Sequence, residues 1–445
     1  MPNVLALKPD DLDTVEKRSK YSVAVVGCNR KGIFFASAFA TAGFKVTCSD
    51  ADPNAVKKLA KAKTPFGEQE VECKIKRLIT SGQLTVTGEI KKPVSQADIV
   101  VLAVPSRLGD NKKIDTSEAL NAAKQIGAAL HAGALVVYVE VAGVGFVEGA
   151  MKETLEDTSG LKTGQSFILA YAPIHNPQGK QLLEPKNGLL LRMATAGKAG
   201  QNQASTLFKT IIDNIVKADD VKTVEAAALF ASARQDADAA LANELAVFCE
   251  QAGVDFNQVL KASAFDTPAL LPLADDEETK KGVYLLLEGA ENAGAKLKLP
   301  ELARQINEEM VKHSVNLTQE ALRSCNKTLR RSRIAVLGAV KPSEDSEAFV
   351  KSLLVKGAKV SFYGHALKGD APELEIVKTS LNEAVEGADC IVLLGADDKP
   401  LNLRRLKTLT KTPSVMVDLT GALDRGAVEA EGFIYRGLGR GRDKE

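Results

Sequence analysis

Residues 223–253, TVEAAALFASARQDADAALANELAVFCEQAG, predict one long helix standing between two halves of the chain that resemble each other. Apolar residues recur along it at three- and four-residue steps, which is the spacing of one helix face. They are Leu229, Ala233, Ala237, Leu241, Leu245 and Phe248. We therefore expect this stripe to be buried, with its alanines allowing another helix to approach closely. Gly253 is expected to end the helix.

Composition excludes several classes of protein. The 445 residues are 45% hydrophobic and 26% charged, with 58 basic against 57 acidic residues, so neither nucleic acid nor anionic lipid is an expected partner. The longest apolar run, at about 134–147, is interrupted by Glu140 and glycines and is shorter than the roughly 20 residues of a membrane helix. The first 20 residues form a charged arm without the apolar core of a secretory signal, so we expect a cytoplasmic protein.

The six cysteines lie far apart in the sequence, and no Cys-x-x-Cys pair occurs. This spacing favours reduced thiols over disulfides or a zinc site. The four histidines also lack the spacing of metal ligands. We therefore expect no bound metal.

Strands and helices alternate on both sides of the long helix, and the two sides repeat. YSVAVVG (21–27), KVTCSD (45–50), ADIVVLAVP (97–105) and ALVVYVEV (134–141) are the predicted strands of the first side. RIAVLG (333–338), KGAKVSFYG (356–364) and GADCIVLLG (387–395) recur in the same order on the second. The pattern predicts an α/β fold with two Rossmann-like doubly wound domains joined by a central helical region. The expected segments are 1–20, 21–215, 216–325 and 326–445.

A glycine-containing turn between the first strand and its helix is the predicted binding site. Gly27 and Gly32 stand where a dinucleotide fingerprint has its outer glycines, and Asp50 ends the second strand, where a carboxylate binds ribose hydroxyls. Asn29 replaces the middle glycine, and its side chain crowds the point of approach to a pyrophosphate. Pro105, after the third predicted strand, is also expected to line this site. The alternative is a structural turn that holds no cofactor.

Several motifs together resemble the UDP-glucose/GDP-mannose dehydrogenase family, the nucleotide-sugar 6-dehydrogenases, from about Val23 to Gly441. They are SGLKTGQSFILAYAP (159–173), ALANELAVFCEQAGVD (240–255), LPELARQIN (299–307), IAVLGAVKP (334–342) and GFIYRGLGRG (432–441). The resemblance implies an NAD-binding first domain, a helical dimerisation centre and a third domain that binds a UDP-sugar. It also implies two successive hydride transfers to NAD, which turn a sugar alcohol into an acid.

The thiol that the resemblance implies is missing. A two-step oxidation traps the aldehyde on a cysteine as a thiohemiacetal, which then becomes a thioester. The matching region, LPLADDEETKKGVYLL, has no cysteine, and none occurs between Cys249 and Cys325. Cys249 lies in an apolar helix, where a buried thiol is the simpler interpretation.

Other family residues are also replaced. The expected lysine and asparagine of the central helix are Ala228 and Ser232, and the carboxylate after Pro173 is Ile174. Glu140 stands where the family has a hydroxyl. We therefore assign no catalytic residue.

The segment expected to bind the sugar nucleotide, LPLADDEETKKGVYLL (271–286), is called the sugar loop, and it contains a run of acidic residues. Asp275 to Glu278 would repel a diphosphate, and Lys280 and Lys281 either offset this or belong to a solvated charge run. Lys341 keeps the place of a family lysine and is the expected substrate-binding residue.

Two hypotheses follow. The first is a non-catalytic homologue that binds a nucleotide or a partner subunit and has a regulatory role. The resemblance implies a homodimer. The second is an active NAD-dependent oxidoreductase on a nucleotide sugar such as UDP-glucose or UDP-N-acetylmannosamine, with altered chemistry that needs no thiol.

Overall fold

The computed structural model describes residues 6–65, 68–109, 111–175, 180–184, 186, 189–197, 200–263, 276–338, 344–364, 376–395 and 401–441. The chain forms two compact units. The first comprises Met1–Ser232 and Lys281–Lys296, and the second comprises Ala233–Lys280 and Leu297–Glu445.

The first unit contains an eight-stranded sheet and a two-stranded hairpin. Its strands are β1 (Ser22–Val26), β2 (Lys45–Ser49), β3 (Leu84–Thr87), β4 (Ile99–Leu102), β5 (Arg107–Leu108), β6 (Ile114–Asp115), β7 (Leu135–Tyr138), β8 (Ile168–Tyr171), β9 (Leu190–Thr195) and β10 (Asn214–Lys217). The large sheet has the order β10-β9-β8-β7-β4-β1-β2-β3, and its strands pair in parallel except β8 with β9. The central strands are apolar and buried on both faces, because helices cover both sides of a parallel sheet.

The helices follow the strands in sequence. Those up to the long helix are α1 (Val15–Arg18), α2 (Arg30–Thr41), α3 (Pro53–Ala60), α4 (Gln69–Thr80), α5 (Lys91–Gln96), α6 (Ser117–Gly127), α7 (Lys152–Ser159), α8 (Lys180–Leu183), α9 (Gln201–Phe208) and α10 (Val221–Ala252), with a π-helical turn at Val147–Met151. α11 (Phe256–Ser263), α12 (Glu277–Asn292) and α13 (Lys298–Arg323) come next. No described helix has the apolar run that a bilayer-spanning segment requires.

The second unit is built on a five-stranded parallel sheet. Its strands are β11 (Arg333–Leu337), β12 (Lys359–Tyr363), β13 (Cys390–Leu393), β14 (Val415–Asp418) and β15 (Ile434–Gly437). Its later helices are α14 (Glu344–Val355), α15 (Leu381–Val385), α16 (Leu403–Leu409) and α17 (Arg425–Ala430). The order β12-β11-β13-β14-β15 repeats the β2-β1-β4-β7-β8 order of the first sheet. The predicted fold class and the internal repeat are thus confirmed, whereas the four-segment division of the chain stays a prediction.

The predicted burial of the stripe on the long helix is wrong in its second half. The side chains of Leu241, Leu245 and Phe248 are 54%, 42% and 61% exposed. In the second unit α10 instead buries Ala242, Ala246 and Cys249 in the hydrophobic core, and this face also carries Asp236 and Asn243. These two polar residues pair with Arg304 and Asn307 of α13. A hydrophobic periodicity cannot recognise a face that is buried through polar pairs.

The described part of the charged N-terminal arm packs against the first unit. Leu7 and Leu12 are buried in its hydrophobic core, together with residues of β1 and α2. Arg18 donates a hydrogen bond to the carbonyl oxygen of Leu12. Residues 6–20 are therefore part of this unit.

Candidate functional site

The turn between β1 and α2 is shaped by two glycines. Gly27 has a φ of +115°, and a Cβ there would lie 2.3 Å from the carbonyl oxygen of Ala103, after β4. A Cβ on Gly32 would lie 1.8 Å from the carbonyl oxygen of Gly27. Only glycine fits at both positions, because backbone atoms occupy the space of a side chain. The outer glycines therefore bring α2 against the end of β1.

Asn29 connects this turn to two neighbouring strand ends. Its Oδ1 accepts a hydrogen bond from the N–H of Gly32 at 2.8 Å, so Asn29 is the N-cap of α2. Its Nδ2 donates to the carbonyl oxygen of Ala103 at 2.7 Å and to Oε1 of Glu140 at 2.9 Å. Ala103 follows β4 and Glu140 lies two residues beyond β7. The amide thus spans the carboxyl ends of three adjacent strands.

Asp50, directly after β2, is also drawn to the turn. Its Oδ2 accepts a hydrogen bond from the N–H of Cys28 at 2.6 Å, and its Oδ1 accepts from the N–H of Asp52 at 2.8 Å. Each carboxylate oxygen has a second lone pair for a further donor, such as a ribose hydroxyl. The structure therefore brings together Gly27, Asn29, Gly32 and Asp50, as the sequence predicts.

A buried ion pair lies beside the turn. The Nζ of Lys31 is 3.0 Å from Oε2 of Glu140, and their side chains are 2% and 4% exposed. Burial alone would raise the pKa of Glu140, but the charges of Lys31 and Lys281, together with hydrogen bonds from Lys31 and Asn29, hold this pKa below its ordinary value. Glu140 is therefore an anion at neutral pH.

Lys281, on α12, adds a second cation to this part of the first unit. It is only 7% exposed, and its Nζ donates to the carbonyl oxygen of Ser106 at 3.3 Å. The solvated charge run considered for this segment is therefore wrong for Lys281, and also for Glu278, which is 5% exposed. Lys280 forms an ion pair with Glu344 at 2.8 Å.

That Lys31 and Lys281 are buried cations was not predicted from the sequence. Lys31 begins an otherwise apolar buried stretch of α2, and Glu140 closes an apolar strand segment. The available signal was the pair of opposite charges, Lys31 and Glu140, in apolar sequence near neighbouring strand ends. Because an unpaired buried charge is costly, two such charges are expected to pair.

The remaining predicted residues are less central. Pro105 is half-buried in the segment after β4, two residues beyond Ala103. Lys341, and Asp275 of the sugar loop, lie outside the described residues. Cys249 is 3% exposed and belongs to the core of the second unit, as its apolar helix predicts.

Helix packing fills the place where the family resemblance implies a lysine and an asparagine. Ser232 is 1% exposed, and its hydroxyl donates to the carbonyl oxygen of Ala228 at 3.3 Å. A Cβ on Gly282 of α12 would lie 2.3 Å from Oγ of Ser232. α10 and α12 therefore approach closely at this position.

Glu225, one turn before Ala228 on α10, holds the segment that follows Glu140. Its carboxylate accepts hydrogen bonds from the N–H groups of Gly145 at 2.6 Å and Val147 at 2.9 Å. Burial raises the pKa of Glu225 to about 7, although these two hydrogen bonds oppose the shift.

Comparisons with known proteins agree with this architecture. Residues 21–209 match the UDP-glucose/GDP-mannose dehydrogenase family, NAD binding domain, and residues 222–309 match its central domain. The UDP-N-acetyl-D-mannosamine dehydrogenase of Pyrococcus horikoshii is 27% identical, over 94% of this chain and 99% of that protein. The UDP-glucose 6-dehydrogenase TuaD of Bacillus subtilis is 24% identical, over 94% of this chain and 93% of that protein.

Two solved structures share this fold over nearly the whole chain. The UDP-D-ManNAc dehydrogenase structure from Pyrococcus horikoshii aligns with a TM-score of 0.81 at 25% identity, covering 94% of this chain and 99% of that chain. The NDP-N-acetyl-D-galactosaminuronic acid dehydrogenase of Methanosarcina mazei Go1 aligns with a TM-score of 0.74 at 25% identity, covering 96% of this chain and 98% of that chain.

NAD(H) is the cofactor that the match to the NAD-binding domain indicates. The turn fits a dinucleotide, because Gly27 and Gly32 keep side chains away from it and Asp50 places a carboxylate at the end of β2. The two matched segments cover most of the sequence. The chain belongs to the UDP-glucose/GDP-mannose dehydrogenase family.

Proposed function

We propose that the protein is an NAD(H)-dependent oxidoreductase that acts on a nucleotide sugar. The observation that carries this proposal is the retained turn, with Gly27, Gly32 and Asp50 in one cluster inside a segment that matches the family's NAD-binding domain. The relatives' printed names favour UDP-N-acetylmannosamine or UDP-glucose as the sugar.

The proposed reaction is a single interconversion of alcohol and carbonyl. The sequence has no cysteine between Cys249 and Cys325, and Cys249 is buried, so a thioester route lacks its nucleophile. NAD, when bound, would supply the acceptor for the hydride of a CH–OH group, and the hydroxyl proton would pass to solvent. This step balances without a thiol and yields one NADH for each sugar.

The chain's own residues would position the cofactor. We assign Gly27 and Gly32 to the close approach of backbone and pyrophosphate, and Asp50 to the ribose hydroxyls. Asn29 and Pro105 are proposed to line the same site. Lys341 remains the proposed substrate-binding residue.

A second candidate is a non-catalytic homologue with a nucleotide-binding or regulatory role. The specific observation in its favour is the packing of Ser232 against Gly282, which takes up space where an amide is implied by the family resemblance. The alanine at position 228 supports the same candidate, because it offers no charge to a developing alkoxide.

A stoichiometric turnover assay separates these candidates. The purified chain is incubated with NAD+ and either UDP-glucose or UDP-N-acetylmannosamine, and NADH absorbance is compared with sugar consumed. We expect one NADH for each sugar consumed and a carbonyl product by mass spectrometry. Two NADH for each sugar would contradict the single-step chemistry. NAD+ binding without any turnover would favour the non-catalytic candidate.

The exposed stripe of α10 supports a homodimer. Leu241, Leu245 and Phe248 lie at helical spacing on one face, and each is more than two-fifths exposed. We propose that a second copy of the chain covers them. The cytoplasmic location and the sugar-binding role of residues 326–445 stay predictions.

A further inference from the structure

We propose that a side-chain bridge formed by Asn29, Glu140 and Lys31 sets the affinity of the first unit for NAD(H), because the cofactor must displace this bridge to bind. The inference rests on the proposed function, since it concerns the same cofactor site. It adds a control of affinity that neither the family match nor the turn glycines describe.

The bridge lies at the point where a doubly wound sheet binds its ligand. β1 has β2 and β3 on one side and β4 and β7 on the other, so the strand order reverses between β1 and β4. Ligands of such sheets bind outside the carboxyl ends of the strands at this reversal. The amide of Asn29 crosses it, because its Nδ2 reaches the carbonyl oxygen of Ala103, which follows β4.

Both N–H donors and the oxygen of the Asn29 side-chain amide already have hydrogen-bond partners. Its two N–H donors go to Ala103 and Glu140, and its oxygen accepts from Gly32. An asparagine amide has only two donors. A phosphate oxygen at the turn can therefore receive a hydrogen bond from Asn29 only if one of these contacts is given up.

The contact between Asn29 and Glu140 is a hydrogen bond to a charged group. Glu140 is buried and ionised, and its negative charge lies within hydrogen-bonding distance of the Asn29 amide at the end of the turn. A hydrogen bond to a charged group is stronger than one between neutral groups, so giving up this contact lowers the net free energy of cofactor binding. Lys31 is held by the same carboxylate at 3.0 Å, so its cation is directed to Glu140.

Two variants remove different contacts of the bridge. Asn29→Gly removes the amide and restores the middle glycine of the fingerprint, and glycine is a tolerated N-cap residue. Lys31→Val with Glu140→Ser removes both charges of the ion pair together and leaves Lys281 its hydrogen bond to the carbonyl oxygen of Ser106. The second variant keeps the test decisive if the first does not fold.

The matched control is Asn402→Gly in the second unit. Asn402 is the N-cap of α16, and its Oδ1 accepts from the N–H of Arg405 at 3.0 Å. The control therefore makes the same substitution at the same kind of helix position without touching the bridge. Circular dichroism and thermal melting verify that each protein is folded.

The measurement is the Kd for NAD+ by isothermal titration calorimetry, with NADH fluorescence as a second readout. We expect both bridge variants to bind roughly tenfold more tightly than the wild type, because a hydrogen bond to a charged group no longer has to be broken. Asn402→Gly should bind like the wild type. Equal or weaker binding by both bridge variants overturns the inference and leaves the proposed function standing. Absence of NAD+ binding in every folded protein overturns both.

Discussion

The guanidinium of Arg304 lies 2.5 Å from Oδ1 of Asp236, and both side chains are at least 97% buried. The pair joins α13 to α10 within the second unit. Asn307 donates to the same carboxylate oxygen at 2.9 Å and to the carbonyl oxygen of Asp236 at 3.0 Å. The long helix is thus held in this unit by a polar contact in an apolar core.

Removing only one partner of this ion pair should destabilise the protein. Arg304→Met leaves the charge of Asp236 buried, and we expect the free energy of unfolding to fall by about 3–5 kcal/mol. Asp236→Leu combined with Arg304→Met should recover most of this loss. Urea unfolding of the three proteins measures it. Lys351→Met, which breaks an exposed pair with Glu347, is the control and should leave stability unchanged.

The pKa of Glu225 predicts a pH-dependent stability. It is raised from 4.5 to about 7, so the folded state holds this proton more tightly than the unfolded chain. The contribution is fully present below pH 4.5 and is lost as the pH rises through about 7. Between these values we expect the wild type to lose about 3 kcal/mol more than Glu225→Gln, since one pKa unit corresponds to about 1.4 kcal/mol. Parallel pH profiles for the two proteins would contradict this prediction.

Thiol accessibility predicts a single labelling site. Cys73 is the exposed cysteine, whereas Cys28, Cys48, Cys249, Cys325 and Cys390 are buried. The contact with Cys48 and burial both raise the pKa of Cys28, which lowers its reactivity further. Iodoacetamide should therefore add one label to the native chain by intact mass, and none to Cys73→Ser. Native labelling of Cys73→Ser would show that a buried thiol is accessible.

The proposed homodimer predicts that association of two chains depends on α10. Leu245→Asp places a charge in the proposed interface, and we expect light scattering to show the mass of one chain instead of two, because buried unpaired charges oppose association. Val355→Asp is the control, because Val355 is an exposed apolar residue of α14 with 88% exposure. A monomeric wild type, or a Leu245→Asp dimer of equal affinity, would reject this interface.

The fold was predictable where the signal is local. Buried strands such as β1 and β4 are continuous apolar runs, and glycine marks the end of β1, so their positions and the repeat could be read from the sequence. The turn residues Gly27, Gly32 and Asp50 follow from the same local order of strand, turn, helix and strand.

The bridge was not predictable in this way. Asn29, Lys31 and Glu140 come together only because β1, β4 and β7 are neighbours in the sheet. Considered separately, Glu140 only replaces a hydroxyl residue that the family resemblance implies, and Lys31 is only a charged residue in a helix. Their pairing depends on the tertiary arrangement of strands that are distant in sequence. The exposed stripe of α10 escaped prediction because polar pairs determine which side of that helix is buried.

The contact between Ser232 and Gly282 limits which side chains position 232 can accept. An asparagine at position 232 needs more room than serine, and the backbone of α12 already borders that side chain. Placing at position 232 the asparagine that the family resemblance implies would therefore require α12 to shift outward. Fitting a larger side chain at position 232 is thus a problem of backbone redesign as well as of side-chain identity.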